Sequence, residues 1–182
     1  MKFTYSIPTK ILFGPGSFND LATTPLPGKK ALVVITAGKS MRANGYLDRL
    51  IDMLDKQGIG HALFDKILPN PVLRHVHEGA ALAREQGCDF VIGLGGGSSI
   101  DSAKSIAVMA KNPGDYWDYI SGGSGKGQPL VNGALPIVAI ATTAARARKP
   151  TRGPSSPKRT PTRRSASAAR KPSPCSPWLT RK

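Results

Sequence analysis

The stretch Leu94-Gly95-Gly96-Gly97-Ser98-Ser99-Ile100-Asp101-Ser102-Ala103-Lys104 decides how the rest of this chain is read. It follows the apolar run Phe90-Val91-Ile92-Gly93-Leu94 and opens a helical pattern that continues to Ala110. The glycines therefore fall where a buried strand hands over to a helix. Glycine at such a turn lets the backbone approach a phosphate with no Cβ in between. The first amides of the helix are free donors, and the helix dipole favours an anion there. Ser98 and Ser99 add hydroxyl donors. A tight strand-to-helix turn with no ligand is the plainer reading, and glycines alone leave both open. Asp101 reads as first-turn stabilisation of the helix rather than a ligand contact.

Working outward, the same alternation repeats. Ala31-Leu32-Val33-Val34-Ile35 is an uninterrupted apolar run, as suits a strand covered on both faces. Tyr46, Leu47, Leu50, Ile51 and Leu54 recur at helical spacing, and Gly58 lies beyond the end. His61–Phe64 is a second strand, and Val72, Val76, Ala80 and Ala83 mark a helix stopped by Gly87. Pro136–Ala141 is a fourth strand. Phe3–Ser6 and Lys10–Phe13 read as an N-terminal β-hairpin closed at Gly14-Pro15-Gly16, with Ser17 capping a short helix after it. Residues 121–133 read as a flexible surface loop. Strand alternating with helix predicts an α/β, Rossmann-like fold, a mostly parallel sheet with helices on both faces. The glycine turn then lies at the carboxyl end of a strand, where open α/β sheets bind ligands.

The charge is unevenly placed. Residues 145–182 hold 12 of the 26 Lys and Arg and none of the 11 Asp and Glu, so residues 1–144 carry a net charge of only +3. The same segment holds seven of the 16 prolines and no Ile, Val, Phe or Met. With so little to bury, it is expected to be a disordered basic tail. Two cysteines, Cys88 and Cys175, make neither a disulfide framework nor a metal pair. No apolar run reaches membrane length, and the first residues lack a secretory pattern, so a cytoplasmic location is expected. His61, His75 and His77 are the only histidines. His75 and His77 are two apart and point in different directions on a helix, so they read as surface residues, not metal ligands.

The stretch Gly95–Lys104 is similar, almost letter for letter, to the dinucleotide-binding signature of the iron-containing (group III) alcohol dehydrogenases. Other stretches match in the same order: Pro8–Gly16 resembles the family's opening hairpin, Pro69-Asn70-Pro71 its Pro-Asn-Pro turn, and Pro136–Ala144 its strand and threonine pair. The resemblance covers residues 1–144, an NAD(P)-binding domain. It implies an NAD- or NADP-dependent oxidoreductase of alcohols and aldehydes, in which full-length relatives are homo-oligomers. In those relatives a second, helical domain supplies Asp and His ligands to Fe²⁺ or Zn²⁺, and that domain is expected to be missing here. By match, Gly95, Gly96, Gly97, Ser98 and Ser99 hold the pyrophosphate. Asn70, Thr142 and Thr143 line the cofactor, and Gly38 and Ser40 lie in the second sugar-side loop. Thr36-Ala37-Gly38-Lys39-Ser40 has no Asp for a ribose, and Lys39 could pair with a 2′-phosphate, which favours acceptance of NADP.

Past Ala144 the resemblance stops. The family continues roughly as Gly-Thr-Gly-Thr-Glu-Ala-Asp-Pro, whereas this chain reads Ala145-Arg146-Ala147-Arg148-Lys149-Pro150-Thr151-Arg152. A coding sequence GGC ACG GGC ACG GAA GCC GAC CCG with its first base deleted yields the observed residues. Residues 145–182 are therefore expected to be a frame-shifted translation, leaving a truncated fragment that binds cofactor at best and is inactive alone. Rival readings are a noncatalytic dinucleotide-binding module, and nonspecific nucleic-acid binding through the tail, whose single aromatic is Trp178. A P-loop at Gly38-Lys39-Ser40 fails because Val33 stands where the motif needs glycine. The coding DNA checks the frame-shift reading: a single-base shift at codon 145 should restore the family's residues, and its failure to do so removes the idea.

Overall fold

The computed structural model describes residues 8–69 and 72–142. The expected strand Phe3–Ser6, the site residues Asn70 and Thr143, and the basic tail lie outside the described residues.

Each long apolar run becomes a strand. They are β1 (Lys30–Thr36), β2 (Gly60–Ile67), β3 (Phe90–Gly95) and β4 (Ile137–Ala141). Between them come α1 (Ser40–Ala43), α2 (Tyr46–Lys56), α3 (Leu73–Glu85) and α4 (Gly97–Lys111), with 3₁₀ turns at Asn19–Ala22 and Tyr116–Tyr119. All strand pairs are parallel, in the order β2-β1-β3-β4. Central β1 and β3 are covered on both faces, which is why their sequences do not alternate.

Alternate side chains divide the core in two. Leu32, Val34 and Val91 meet Val76, Ala80 and Ala83 of α3 and Ile106 and Ala107 of α4. Ala31, Val33, Ile35, Ile92 and Leu94 meet Leu47, Leu50 and Leu54 of α2 on the other face. The chain runs outward from β1 to β2, then returns past β1 to β3. Right-handed crossovers in opposite directions place α2 on one face and α3 and α4 on the other. The reversal leaves a crevice between the carboxyl ends of β1 and β3.

Gly93 sets how closely α4 lies on the sheet. A Cβ there would come 3.0 Å from the Ala103 Cβ and 3.1 Å from the Ile100 Cα. The second of these is backbone and has no side-chain rotation to escape by.

Several expectations are corrected. Lys10–Phe13 forms no strand and has no ladder partner among the described residues, with Ile11 69% and Phe13 97% exposed. Ser17 caps nothing; the 3₁₀ turn begins at Asn19, and the preceding turn is closed by backbone bonds from Ser17 and Asn19 to Gly14 and Gly16. Residues 121–133 lack regular structure but are pinned. The Gln128 and Gly127 amides donate to the Asp118 and Ile120 carbonyls, and the buried Asn112 amide donates to the Val108 and Gly133 carbonyls. Asp101 is the fifth residue of α4, past its first turn, with its carboxylate 3.5 Å from the Lys104 ammonium. His75 is buried, not at the surface: it continues the inward stripe of α3 with Gly79 and Ala83, one helical turn apart in each case. His77 and His61 are half-buried, 3.9 Å from Asp115 and 3.7 Å from Asp55.

Substituting Gly93→Val should lower the unfolding free energy by about 1–3 kcal/mol, measured by urea denaturation. An unchanged midpoint would show that α4 is free to lift off β3.

Candidate functional site

The carboxyl ends of all four strands are cross-tied, and the glycine turn lies in the middle of the ties. The Ala37 amide donates to the Ile67 carbonyl at 2.9 Å, joining the segment after β1 to the last residue of β2. The Ser98 hydroxyl donates to the Pro69 carbonyl at 2.8 Å, joining the start of α4 to the segment after β2. The Thr142 amide donates to the Gly95 carbonyl at 3.1 Å, and its hydroxyl lies 3.7 Å from the Met41 sulfur of α1. Gly38, Ser40, Gly95–Ser99 and Thr142, predicted from separate motifs, thus gather along one edge of the sheet.

The turn itself is built by backbone conformation. Gly95 has φ +131°, which side-chain-bearing residues rarely adopt, and a Cβ there would lie 2.9 Å from the Ser99 hydroxyl. Gly96 is extended and caps α4 with no side-chain hydrogen bond. The opening amides of α4 therefore have neither a capping side chain nor a carbonyl one turn earlier. Gly97 is exposed, and a Cβ on it would meet nothing within 4 Å. The result is an open, amide-lined surface at the positive end of a 15-residue helix. That arrangement fits a diphosphate.

The two serines differ. Ser98 is half-buried and bonded to Pro69, whereas Ser99 is fully buried with its hydroxyl unpartnered beneath the turn. Gly38 and Ser40 are exposed, with buried Met41 next in the chain. Sequence reasoning missed Met41 and Pro69. A four-residue helix shows no periodicity, and the Pro69 contribution is a backbone carbonyl, which no residue type announces.

Groups with shifted acidity serve structure instead. Asp89 stands at the amino end of β3, opposite the glycine turn, and its carboxylate accepts the Lys29 and Lys30 amides at 2.7 and 2.9 Å. Burial pushes its pKa up, but the backbone bonds win and hold it below 3.8. Burial pushes Tyr116 up to about 12, despite a 2.8 Å bond with the Ser105 hydroxyl. A recess of about 320 Å³ lined by Asp115, Trp117, Asp118, Ser124 and Lys126 includes none of the predicted site residues.

The described residues do not fit a metal. No three of His, Cys, Asp or Glu come together among them as a set of ligands. No helix among them is long and apolar enough to cross a membrane.

The model of the iron-containing alcohol dehydrogenases matches residues 8–153, most of the chain. The chain belongs to that family. The match runs past Ala144, where the motif resemblance ends. A probable NADH-dependent butanol dehydrogenase of Bacillus subtilis is 38% identical over 143 residues, covering 79% of this chain and 36% of that protein. Among solved structures, an archaeal halo-thermophilic alcohol dehydrogenase from a Red Sea brine pool superposes with a TM-score of 0.70 at 34% identity, over 78% of this chain and 36% of its own. A sulfoacetaldehyde reductase of Bifidobacterium kashiwanohense, solved with NAD⁺, superposes with a TM-score of 0.64 at 31% identity, over 79% of this chain and 36% of its own. This member of the iron-containing alcohol dehydrogenase family thus spans little more than a third of each of these relatives.

Proposed function

We propose that residues 1–144 form the dinucleotide-binding part of an alcohol or aldehyde oxidoreductase that moves hydride between substrate and nicotinamide. The observation that carries this reading is the uncapped amino end of α4, open at Gly97 and placed beside the crevice between β1 and β3. The diphosphate rests on the amides of Gly96, Gly97 and Ser98, and the fully buried Ser99, expected to be a contact, backs the turn from beneath. Gly38 and Ser40 flank the sugar side, Thr142 closes the opposite wall, and we assign Asn70 and Thr143 to the site on the resemblance of their motifs to the family's turn and threonine pair. Relatives named as NADH-dependent and a relative solved with NAD⁺ support the choice of dinucleotide. Exposed Lys39 stands in the segment after β1, where a cation attracts the 2′-phosphate of NADP.

The role assigned is binding, not turnover. A bound nicotinamide accepts or donates hydride; the described residues present the cofactor and supply no metal site for a substrate oxygen.

Gly97→Asp separates folding from binding. The new carboxylate points into open space and sits in the first turn of a helix, where negative charge is stabilising. The same charge repels a diphosphate. Titration with NADH and NADPH, followed by nicotinamide fluorescence, should show affinity falling about tenfold or more in the variant, with thermal stability held or raised. In the unsubstituted chain NADPH should bind as well as NADH does, within about tenfold. Equal affinity in the variant and the parent would place the dinucleotide elsewhere.

A further inference from the structure

We infer that the Ser98 hydroxyl is a strap that positions the segment before α3, and not a phosphate donor. This rests on the dinucleotide reading above. A serine hydroxyl has one proton to give. In this chain that proton is donated to the Pro69 carbonyl at 2.8 Å, a good distance for such a bond. Phosphate oxygens only accept, so a phosphate can take the Ser98 proton only by stripping it from Pro69. The backbone of the turn has no such conflict. The opening α4 amides have no side-chain cap in competition, and the turn is open at Gly97.

The position of the strap says what it does. Pro69 lies just after β2, and α3 begins at Leu73, so Ser98 holds the chain at Pro69, between those two elements. That segment has one other described tie to the crevice, the Ala37 amide on the Ile67 carbonyl two residues earlier. The Ser98 bond is the one that reaches it from α4. α3 and α4 lean on each other: a Cβ on Gly79 would fall 2.5 Å from the Ile106 Cδ1. The Ser98–Pro69 bond adds to that packing a tie between the start of α4 and the chain leaving β2. Ser98 is a positioning residue in this account: its amide faces the ligand and its hydroxyl faces the protein.

Full-length chain carrying Ser98→Ala or Ser98→Thr tests this. The first readout needs no ligand. Hydrogen exchange of the His75 amide, which closes the first turn of α3 on the Val72 carbonyl at 3.1 Å, should quicken about fivefold in Ser98→Ala, the effect of one ordinary hydrogen bond. Ser98→Thr keeps a hydroxyl and should restore the slower rate. The second readout compares NADH with inorganic pyrophosphate. Loosening the segment before α3 should weaken the dinucleotide, which reaches past the turn, by a larger factor than pyrophosphate, which does not. Unchanged exchange in Ser98→Ala overturns the strap. Equal losses for the two ligands show that the hydroxyl serves phosphate, and overturn it as well. If the unsubstituted chain binds neither ligand, the dinucleotide reading fails, while the exchange rates still decide whether Ser98 positions the segment.

Discussion

Everything at the carboxyl edge of the sheet depends on how near α4 comes to β3. Gly93 lets the helix backbone settle to within contact of the strand, and Gly95 turns the chain at a φ of +131° to make the approach possible. The consequence is a helix whose first amides stand directly over the end of the strand. Its dipole is then aimed at the crevice that the strand order creates. Without that proximity the same residues form a helix with its amino end in bulk water, where the dipole is screened and an anion gains little.

The four ties along this edge show how separate loops are made into one surface. Each is a single hydrogen bond or a thioether contact, worth little alone. Together they link the ends of β1, β2, β3 and β4 through Ala37, Pro69, Gly95, Ser98 and Thr142. A surface whose loops are tied to one another in this way has less backbone left to order on association.

The interior was legible in the residues because hydrophobic periodicity is a direct imprint of burial. Three of the four strands and the three long helices emerge within a residue or two of where Ala31–Ile35, Phe90–Leu94 and the Leu47–Leu54 stripe place them, while β2 runs three residues past the expected His61–Phe64. The site was legible through its glycines, whose conformational needs are unusual enough to mark a turn. What escaped was set by tertiary contact. His75 is a polar residue on an inward stripe, chosen by the position of α3 rather than by its own hydropathy. The segment 121–133 has loop composition, yet the Asn112 side-chain amide and the Asp118 backbone carbonyl hold it through bonds that no local pattern encodes. Lys10–Phe13 has the composition of a strand and no ladder partner among the described residues.

The central claim is that a diphosphate sits on exposed amides where β3 passes into α4. Backbone amide NMR of the folded chain, titrated with NAD⁺ and NADP⁺, reads this residue by residue. The account requires the largest shifts at Gly96 through Ser99, with a smaller one at Thr142. Shifts confined to the Trp117–Lys126 recess, or none in Gly95–Ser99 at saturating dinucleotide, would contradict it.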